Sequence, residues 1–499
     1  RLFGTLSWGK VRMRLPRPLG CSLALVLAAT AAAANVGSID SAPAATLLLP
    51  YFEVDIGDAD GDGFGDCNGV NTLFSVNNAS AAPALAHFTL WSDWSVATLD
   101  FDVFLTGYDV VTVNLCEVFT WGNLPITADE QTDPGDTISP HGGIFTDNPS
   151  WDGSFPGCQN IFPFEEGILQ GFYLDRIQNA HAGYEVPGLD GCMGQQLNGA
   201  GQCSGGSCPA GTIARGYVTV DNASQCSLLF AGEPGYFVDG GNGIANDINQ
   251  LWGDWFLIDP ANDFATGEPL VHIEADPNLN RTTLPLIDPS GATSGMTTAS
   301  TTGYTFYGRY APADGADNRE PLGTTWATRY LNGGAFDSSS LTVWRDSTQQ
   351  VVAHVRTYPC GIAGGGIGPE WAPMNETQVV CFNEAEDAVE LCGFDDGDNT
   401  VSPPLPGVDP TCFPIETGRY QFGVGDLDPP FDFGWCYLNL NPGIDGFVDD
   451  VDFGSNGTLG QSHVTVQHSA LGRFSVGHEA IELTNALEDV DPTITIAPP

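Results

Sequence analysis

Lysine is nearly absent from this 499-residue sequence: the only one is Lys10, and Lys+Arg number 15 against 62 Asp+Glu, a formal net charge of -47. A chain so short of cations is repelled by nucleic-acid phosphates and by anionic lipid, so neither is expected as a partner. Schiff-base chemistry and a P-loop both need a lysine that the chain beyond residue 10 lacks. Common catalytic signatures are missing as well: no G-x-S-x-G, H-E-x-x-H or GxxxxGK[ST] occurs. Charged residues make up only 15% against 42% hydrophobic, which is enough apolar material for a sizeable core.

The one long apolar run, Leu23–Ala34, follows Lys10, Arg12, Arg14 and Arg17 and ends in Ala32-Ala33-Ala34. It is too short to span a bilayer, which takes roughly 20 residues, and has the layout of a signal peptide. Residues 1–34 are therefore expected to be a leader, with Met13 as the natural start, and the protein to be secreted, extracellular or periplasmic. No direct membrane insertion is expected after cleavage. Removing the leader takes five basic residues and no acid, leaving ten Arg against 62 acids. Such self-repulsion calls for bound or screening cations, or serves solubility.

Twelve of the 13 cysteines follow the leader, an even number that favours disulfides in an exported chain. They include two series, Cys192, Cys203, Cys208, Cys226 and Cys360, Cys381, Cys392, Cys412, Cys436, and local bridges within each are expected. Zinc is a poor fit, because no C-x-x-C pair or neighbouring histidine occurs in them.

Period-two alternation dominates and marks half-buried strands. Leu99, Phe101, Val103 and Leu105 share one face while Asp100 and Asp102 take the other. Val110–Leu115, Val351–Tyr358, Tyr420–Val424 and His463–His468 read similarly. Helical periodicity is confined to Glu166–Asn179 and Asn383–Leu391. The expected fold is mainly β, with antiparallel β-sandwich units, long disulfide-stapled loops and little helix. A faint echo links Leu73–Asn78 and Phe88–Asp93 with Arg329–Asn332 and Leu341–Asp346, each pair closing on Trp-x-Asp, and Trp252-Gly-Asp254 repeats it. Either two related sandwiches or coincidence accounts for it. The expected division is a unit over 42–190, a Cys/Gly-rich connector over 191–215 and a second unit over 216–499.

One motif carries chemistry. Asp58, Asp60, Asp62 and Asp66 stand at positions 1, 3, 5 and 9 of a loop with Gly63 at position 6 and the Phe64 carbonyl at 7. Calcium takes six to eight oxygens, and alternating aspartates on a tight turn supply them. The stretch resembles the calcium loops of EF-hands, dockerins and thrombospondin type 3 repeats, and Cys67 fits the last. The resemblance implies calcium at Asp58, Asp60, Asp62, Phe64 and Asp66, with weak affinity of about 10⁻⁴ to 10⁻³ M. It departs at position 12, where Gly69 replaces Glu, so Asp55 or a distant carboxylate must close the site. The other reading is a solvated acidic loop.

No catalytic residues can be named. His272, Glu274 and Asp276 share a strand face, as a metal edge or a solvent face. His463 and His468 are an odd number apart and point to opposite faces. Trp91, Trp94, Trp252 and Trp255 stack on sugars if exposed and fill the core if not. The leading expectation is a non-enzymatic structural, adhesive or ligand-binding protein, with carbohydrate or a cell-surface protein as partner. The alternatives are a polysaccharide hydrolase using an Asp/Glu pair and a carbohydrate-binding module.

Overall fold

The computed structural model describes residues 42–58, 61, 65–93, 95–125, 169, 171–187, 211–231, 233, 235–238, 241–275, 305–307, 317–320, 322–331, 338–346, 378–384, 390–395, 417–422, 432–440, 461–470 and 474–485. Strands rich in β-branched and aromatic residues dominate them. The first nine are β1 (Thr46–Asp55), β2 (Asn71–Asn78), β3 (Ala84–Ser92), β4 (Ala97–Leu105), β5 (Val110–Asn114), β6 (Ile213–Ala223), β7 (Leu251–Asp259), β8 (Phe264–Pro269) and β9 (Val271–Ile273). The next nine are β10 (Gly323–Leu331), β11 (Ser338–Asp346), β12 (Gln378–Glu384), β13 (Glu390–Asp395), β14 (Thr417–Gln421), β15 (Phe433–Asn439), β16 (Gln461–Ala470), β17 (Phe474–Glu479) and β18 (Ile481–Asn485).

They pair antiparallel into four sheets. Sheet I is β5-β2-β7-β8 and sheet II is β4-β3-β6-β1-β9. Sheet III is β14-β11-β16-β17 and sheet IV is β13-β12-β15-β10-β18. Sheets I and II form one sandwich, sheets III and IV another. Strand for strand, the second sandwich repeats the order of the first, β1 answering to β10 and β9 to β18. Phe264-Ala-Thr-Gly-Glu-Pro-Leu-Val-His-Ile273 and Phe474-Ser-Val-Gly-His-Glu-Ala-Ile-Glu-Leu483 keep the same Phe, Gly and aliphatic positions. Both cross between their sheets with the same bond, Leu270 N–H to the Gly253 carbonyl at 3.0 Å and Ala480 N–H to the Val464 carbonyl at 2.9 Å.

The Trp-x-Asp echo does not follow this repeat. It sets β2 and β3 beside β10 and β11, whereas the topology sets β1 and β2 there, because Trp-x-Asp marks strand ends at unrelated places in the sandwich. Within sheet II, β6 lies between β3 and β1, so strands from both sides of residues 191–215 share one sheet. Asn383–Leu391 is not helical where described: Gln378–Glu384 and Glu390–Asp395 are paired strands, since Val379-Val380-Cys381-Phe382 is a β-favouring run. The helix expected over Glu166–Asn179 is α1, Phe172–Ala182, ended by Gly183 at φ 92°. Val351–Tyr358 and Trp94 lie outside the described residues.

Between sheets I and II the core is apolar. Phe74, Val76, Trp255 and Leu257 face Leu47, Leu49, Phe88 and Val220, all buried, and each such large side chain contributes about 1.5–3 kcal/mol. The reverse face of sheet II is polar and also buried. Asp100 and Asp102 therefore do not face solvent. The loop after β6 covers them, with Ser227 N–H donating to Asp102 Oδ2 at 3.0 Å, while the second sandwich closes over β1 and β6 of the same face: Tyr217 meets Trp344 of sheet III at 6.0 Å, Thr417 Oγ1 donates to the Pro50 carbonyl, and Arg419 pairs with Glu53 at 3.6 Å. At the sheet edges Ala265 N–H donates to Ser475 Oγ at 3.0 Å.

Cys67 and Cys116 form a disulfide across 49 residues. It tethers the aspartate-rich loop to a single π-helical turn, Glu117–Trp121, and lies outside both cysteine series. Cys226 is also disulfide-bonded. Cys436 is a free, fully buried thiol, so it takes no part in the local bridges expected within its series. Burial in apolar surroundings pushes its pKa up and keeps it inert.

Candidate functional site

The exposed side of sheet I follows from the alternation in β7. Leu251, Gly253, Trp255 and Leu257 point inward and are buried, while Trp252 and Phe256 point outward, 42% and 48% exposed. Pairing sets three cross-strand rows on this side: Val110, Asn77 and Trp252; Thr112, Ser75 and Asp254; Asn114, Leu73 and Phe256. A groove of about 370 Å³ runs over the second and third of these rows, lined among others by Leu73, Ser75, Asn114, Glu117, Asp254 and Phe256. Its polar groups are held in place. Ser75 Oγ donates to Asp254 Oδ1 at 2.6 Å, Asn77 Nδ2 donates to Ser75 Oγ at 3.1 Å, and Asn114 Nδ2 donates to Glu117 Oε1 at 3.0 Å. A Cβ on Gly267 would lie 2.4 Å from the Phe256 ring, so this glycine is what lets the ring lie across β8. Flat apolar rings beside fixed acceptors and amides suit an amphipathic partner surface.

Sheet IV has a second exposed side. Phe433, Trp435 and Ile481 are 46%, 42% and 54% exposed, and Trp435 pairs with the exposed Arg329 on β10. Isolated exposed apolar residues are ordinary; aromatic clusters on the two outermost sheets are not.

The aspartate loop is described only in part. Asp58 is exposed and its Oδ1 accepts from Gly61 N–H at 2.6 Å. Asp66 is half-buried and its N–H donates to the Gly57 carbonyl at 3.2 Å. Asp60, Asp62 and Phe64 lie outside the described residues. Asp55 accepts from Gly57 N–H at 2.9 Å, and its carboxylate packs so closely on Gly69 that a Cβ there would sit 2.2 Å from Oδ2. Among the described residues no three His, Cys, Asp or Glu side chains form a metal-holding group.

Histidines singled out by the sequence are structural. His272 Nδ1 donates to the Ala42 carbonyl at 2.9 Å and Nε2 accepts from Gly253 N–H at 3.3 Å, while Val271, Ile273 and Ala275 are buried. The unbroken register of β16 puts His463 and His468 on opposite faces. Both are buried, and desolvation lowers their pKa to about 3 and about 4. Trp91, Trp255 and Trp344 fill the core.

Sequence reading missed a buried charged cluster on the reverse of sheet II. His87 Nδ1 meets Asp102 Oδ1 at 2.8 Å, both fully buried. Asp102 Oδ2 also accepts from Ser227 N–H at 3.0 Å. Asp221 accepts from Tyr236 at 2.6 Å, from Tyr307 at 2.9 Å and from Thr46. Arg319 pairs with Asp221 at 3.4 Å and Asp317 at 3.5 Å. Burial alone would lower the His87 pKa, but Asp102, Asp100 and Asp221 outweigh it and raise it to about 9. Burial pushes Asp100 up to about 7. The second sandwich has Val379, Phe394 and Asn439 at the registers of His87, Asp102 and Asp221. The only signal available was the cross-strand spacing of His87 and Asp102, which needs the pairing to be known.

Comparison with protein-family models, with curated proteins and with solved structures finds no match to this chain.

Proposed function

We propose that the protein is exported and non-enzymatic, a structural or adhesive protein that acts by presenting its outer sheet faces to a partner. The carrying observation is the division of labour among its side chains. Groups whose pKa values are strongly displaced, among them His87, Asp100 and His463, are buried and out of reach of a substrate, while the aromatic rows at Trp252, Phe256, Phe433 and Trp435 are open. Groups tuned for chemistry need access to the reacting atoms; groups tuned for association need exposed, preorganised area. The basic leader ending in Ala32-Ala33-Ala34 and the disulfides support export. Calcium at the Asp58–Asp66 loop, closed by Asp55 beside Gly69, would rigidify the turn next to the Cys67–Cys116 bridge.

The test is retention of the protein on polysaccharides and on cell surfaces, with W252A/F256A as the variant. Loss of retention with an unchanged melting temperature is expected. Undiminished retention would refute the reading. Asp254 and Glu117 line one groove, which favours polysaccharide hydrolysis as a second reading. Release of reducing ends, abolished by D254N or E117Q, would establish that activity instead.

A further inference from the structure

The two sandwiches pack on each other through faces that are not alike: the reverse of sheet II in the first, the reverse of sheet III in the second. Because the second sandwich repeats the first, each face has a counterpart elsewhere in the chain. The counterpart of sheet II is sheet IV, and the counterpart of sheet III is sheet I. Those two counterparts are the faces that carry the exposed aromatics. The chain therefore ends, on opposite sandwiches, in the two halves of a contact it has already made once internally.

The register makes this correspondence residue by residue. Leu48 pairs with Val271 and Thr219, and Ala327 pairs with Ile481 and Tyr437. With Val271 answering to Ile481, Tyr217 on sheet II answers to Trp435 on sheet IV. On the other side, Gly253 pairs with Val76 and Val464 with Val343, so Trp344 on sheet III answers to Asn77 on sheet I. Thr417 then answers to Val110 and His463 to Trp252. The internal contact is centred on Tyr217 against Trp344, at 6.0 Å. Its repeat places Trp435 against the row of Val110, Asn77 and Trp252. An aromatic anchor is present on both sides in each case, shifted by one strand from Trp344 to Trp252.

We infer that chains join head to tail, the outer face of sheet IV of one copy receiving the outer face of sheet I of the next. This rests on the reading that the outer faces are binding surfaces and names a second copy of this chain as their partner. A contact between unlike faces does not close on itself in a dimer, so it propagates into a ring or an open filament. Charge favours this pairing over face-to-like-face contact: sheet IV exposes Arg329, while the groove of sheet I carries Asp254 and Glu117. The net charge of -47 opposes any association between copies. Assembly should therefore strengthen as salt shortens the screening length, about 8 Å at 0.15 M.

Sedimentation velocity of the full chain over a concentration series is the test, with calcium present and salt at about 0.15 M. The wild type is expected to form species of two and more chains. W252A/F256A removes the sheet I anchor and F433A/W435A the sheet IV anchor, all at exposed positions, and unchanged melting temperatures verify their folds. Each variant alone should sediment as a single chain, and their equimolar mixture as a dimer and nothing larger. Self-association of either variant alone, a monomeric mixture, or a monomeric wild type at every concentration would overturn the inference. If the wild type is monomeric yet W252A/F256A still loses surface retention, the inference fails and the binding reading stands. If retention is unaffected, the binding reading fails on its own.

Discussion

Replacing His87 by Val should abolish a pH dependence that the wild type carries in an unusual direction. Val is the residue at the corresponding register of the second sandwich, Val379. His87 is faced by Asp102 and Asp100 from β4, by Asp221 from β6 and by the Tyr236 ring at 5.6 Å. These carboxylates hold its proton to about pH 9, against about 6.5 in an unfolded chain. A raised folded pKa gives stability that is complete below about pH 6.5 and lost as pH rises through about 9; its full size is about 3 kcal/mol. Asp100, raised to about 7, also loses its contribution with rising pH, but in the window from about 4 to 7. Between about pH 7.5 and 9.5 His87 should account for about 2 kcal/mol lost from the unfolding free energy, on top of the loss from Cys436, whose buried thiol ionises only in the unfolded chain; H87V removes the first part and keeps the second. His181, His463 and His468, pushed down by burial, titrate well below that window. H87V also leaves the Asp102 carboxylate buried with only the Ser227 N–H, a loss of about 3–5 kcal/mol at neutral pH. Urea unfolding of both proteins at the two pH values reads both effects. A variant that keeps the wild-type slope, or costs under about 1 kcal/mol, would refute the buried ion pair.

The two tryptophans of Trp252-Gly-Asp-Trp255 should separate cleanly in chemical denaturation. W255A, at a fully buried site, is expected to cost about 3–5 kcal/mol, whereas W252A should stay within about 0.5 kcal/mol; equal costs would contradict the assigned faces. Removing the Cys67–Cys116 bridge, which closes a separation of 49 residues, should lower stability by about 4 kcal/mol on chain entropy, and a variant as stable as the oxidised protein would refute that role. Chelation should lower the melting temperature, calcium should restore it, and D58N should remove the response; a melting curve indifferent to chelator would leave Asp58–Asp66 a solvated loop.

Fold class was legible because its signal is local. The alternation in Leu99–Leu105 and His463–His468, together with the scarcity of helical periodicity, is enough to call antiparallel strands. What alternation does not reveal is the partner of each face. Asp100 and Asp102 read as an outward face and are buried because the loop after β6, which carries Ser227 and Glu233, closes over them. Trp252 and Trp255 are indistinguishable by composition and differ only by parity along β7. The repeat was hidden for a similar reason. Its clearest trace, Phe264–Ile273 against Phe474–Leu483, rests on a few apolar positions and a glycine, while the louder Trp-x-Asp joins strands that do not correspond. In the aspartate loop the spacing was legible, and the placing of Asp55 against Gly69 was not, since it depends on how β1 leaves the sheet. The His87 and Asp221 clusters draw on residues far apart in sequence, and no local pattern announces them.

The head-to-tail contact is tested most directly by a photoreactive phenylalanine analogue at position 435 of the full chain, irradiated and mapped by peptide mass spectrometry. Adducts between copies are expected on β2 and β7, around Asn77 and Trp252. Adducts confined to β10 and β15 of the partner copy, or none between chains, would contradict the pairing of sheet IV with sheet I.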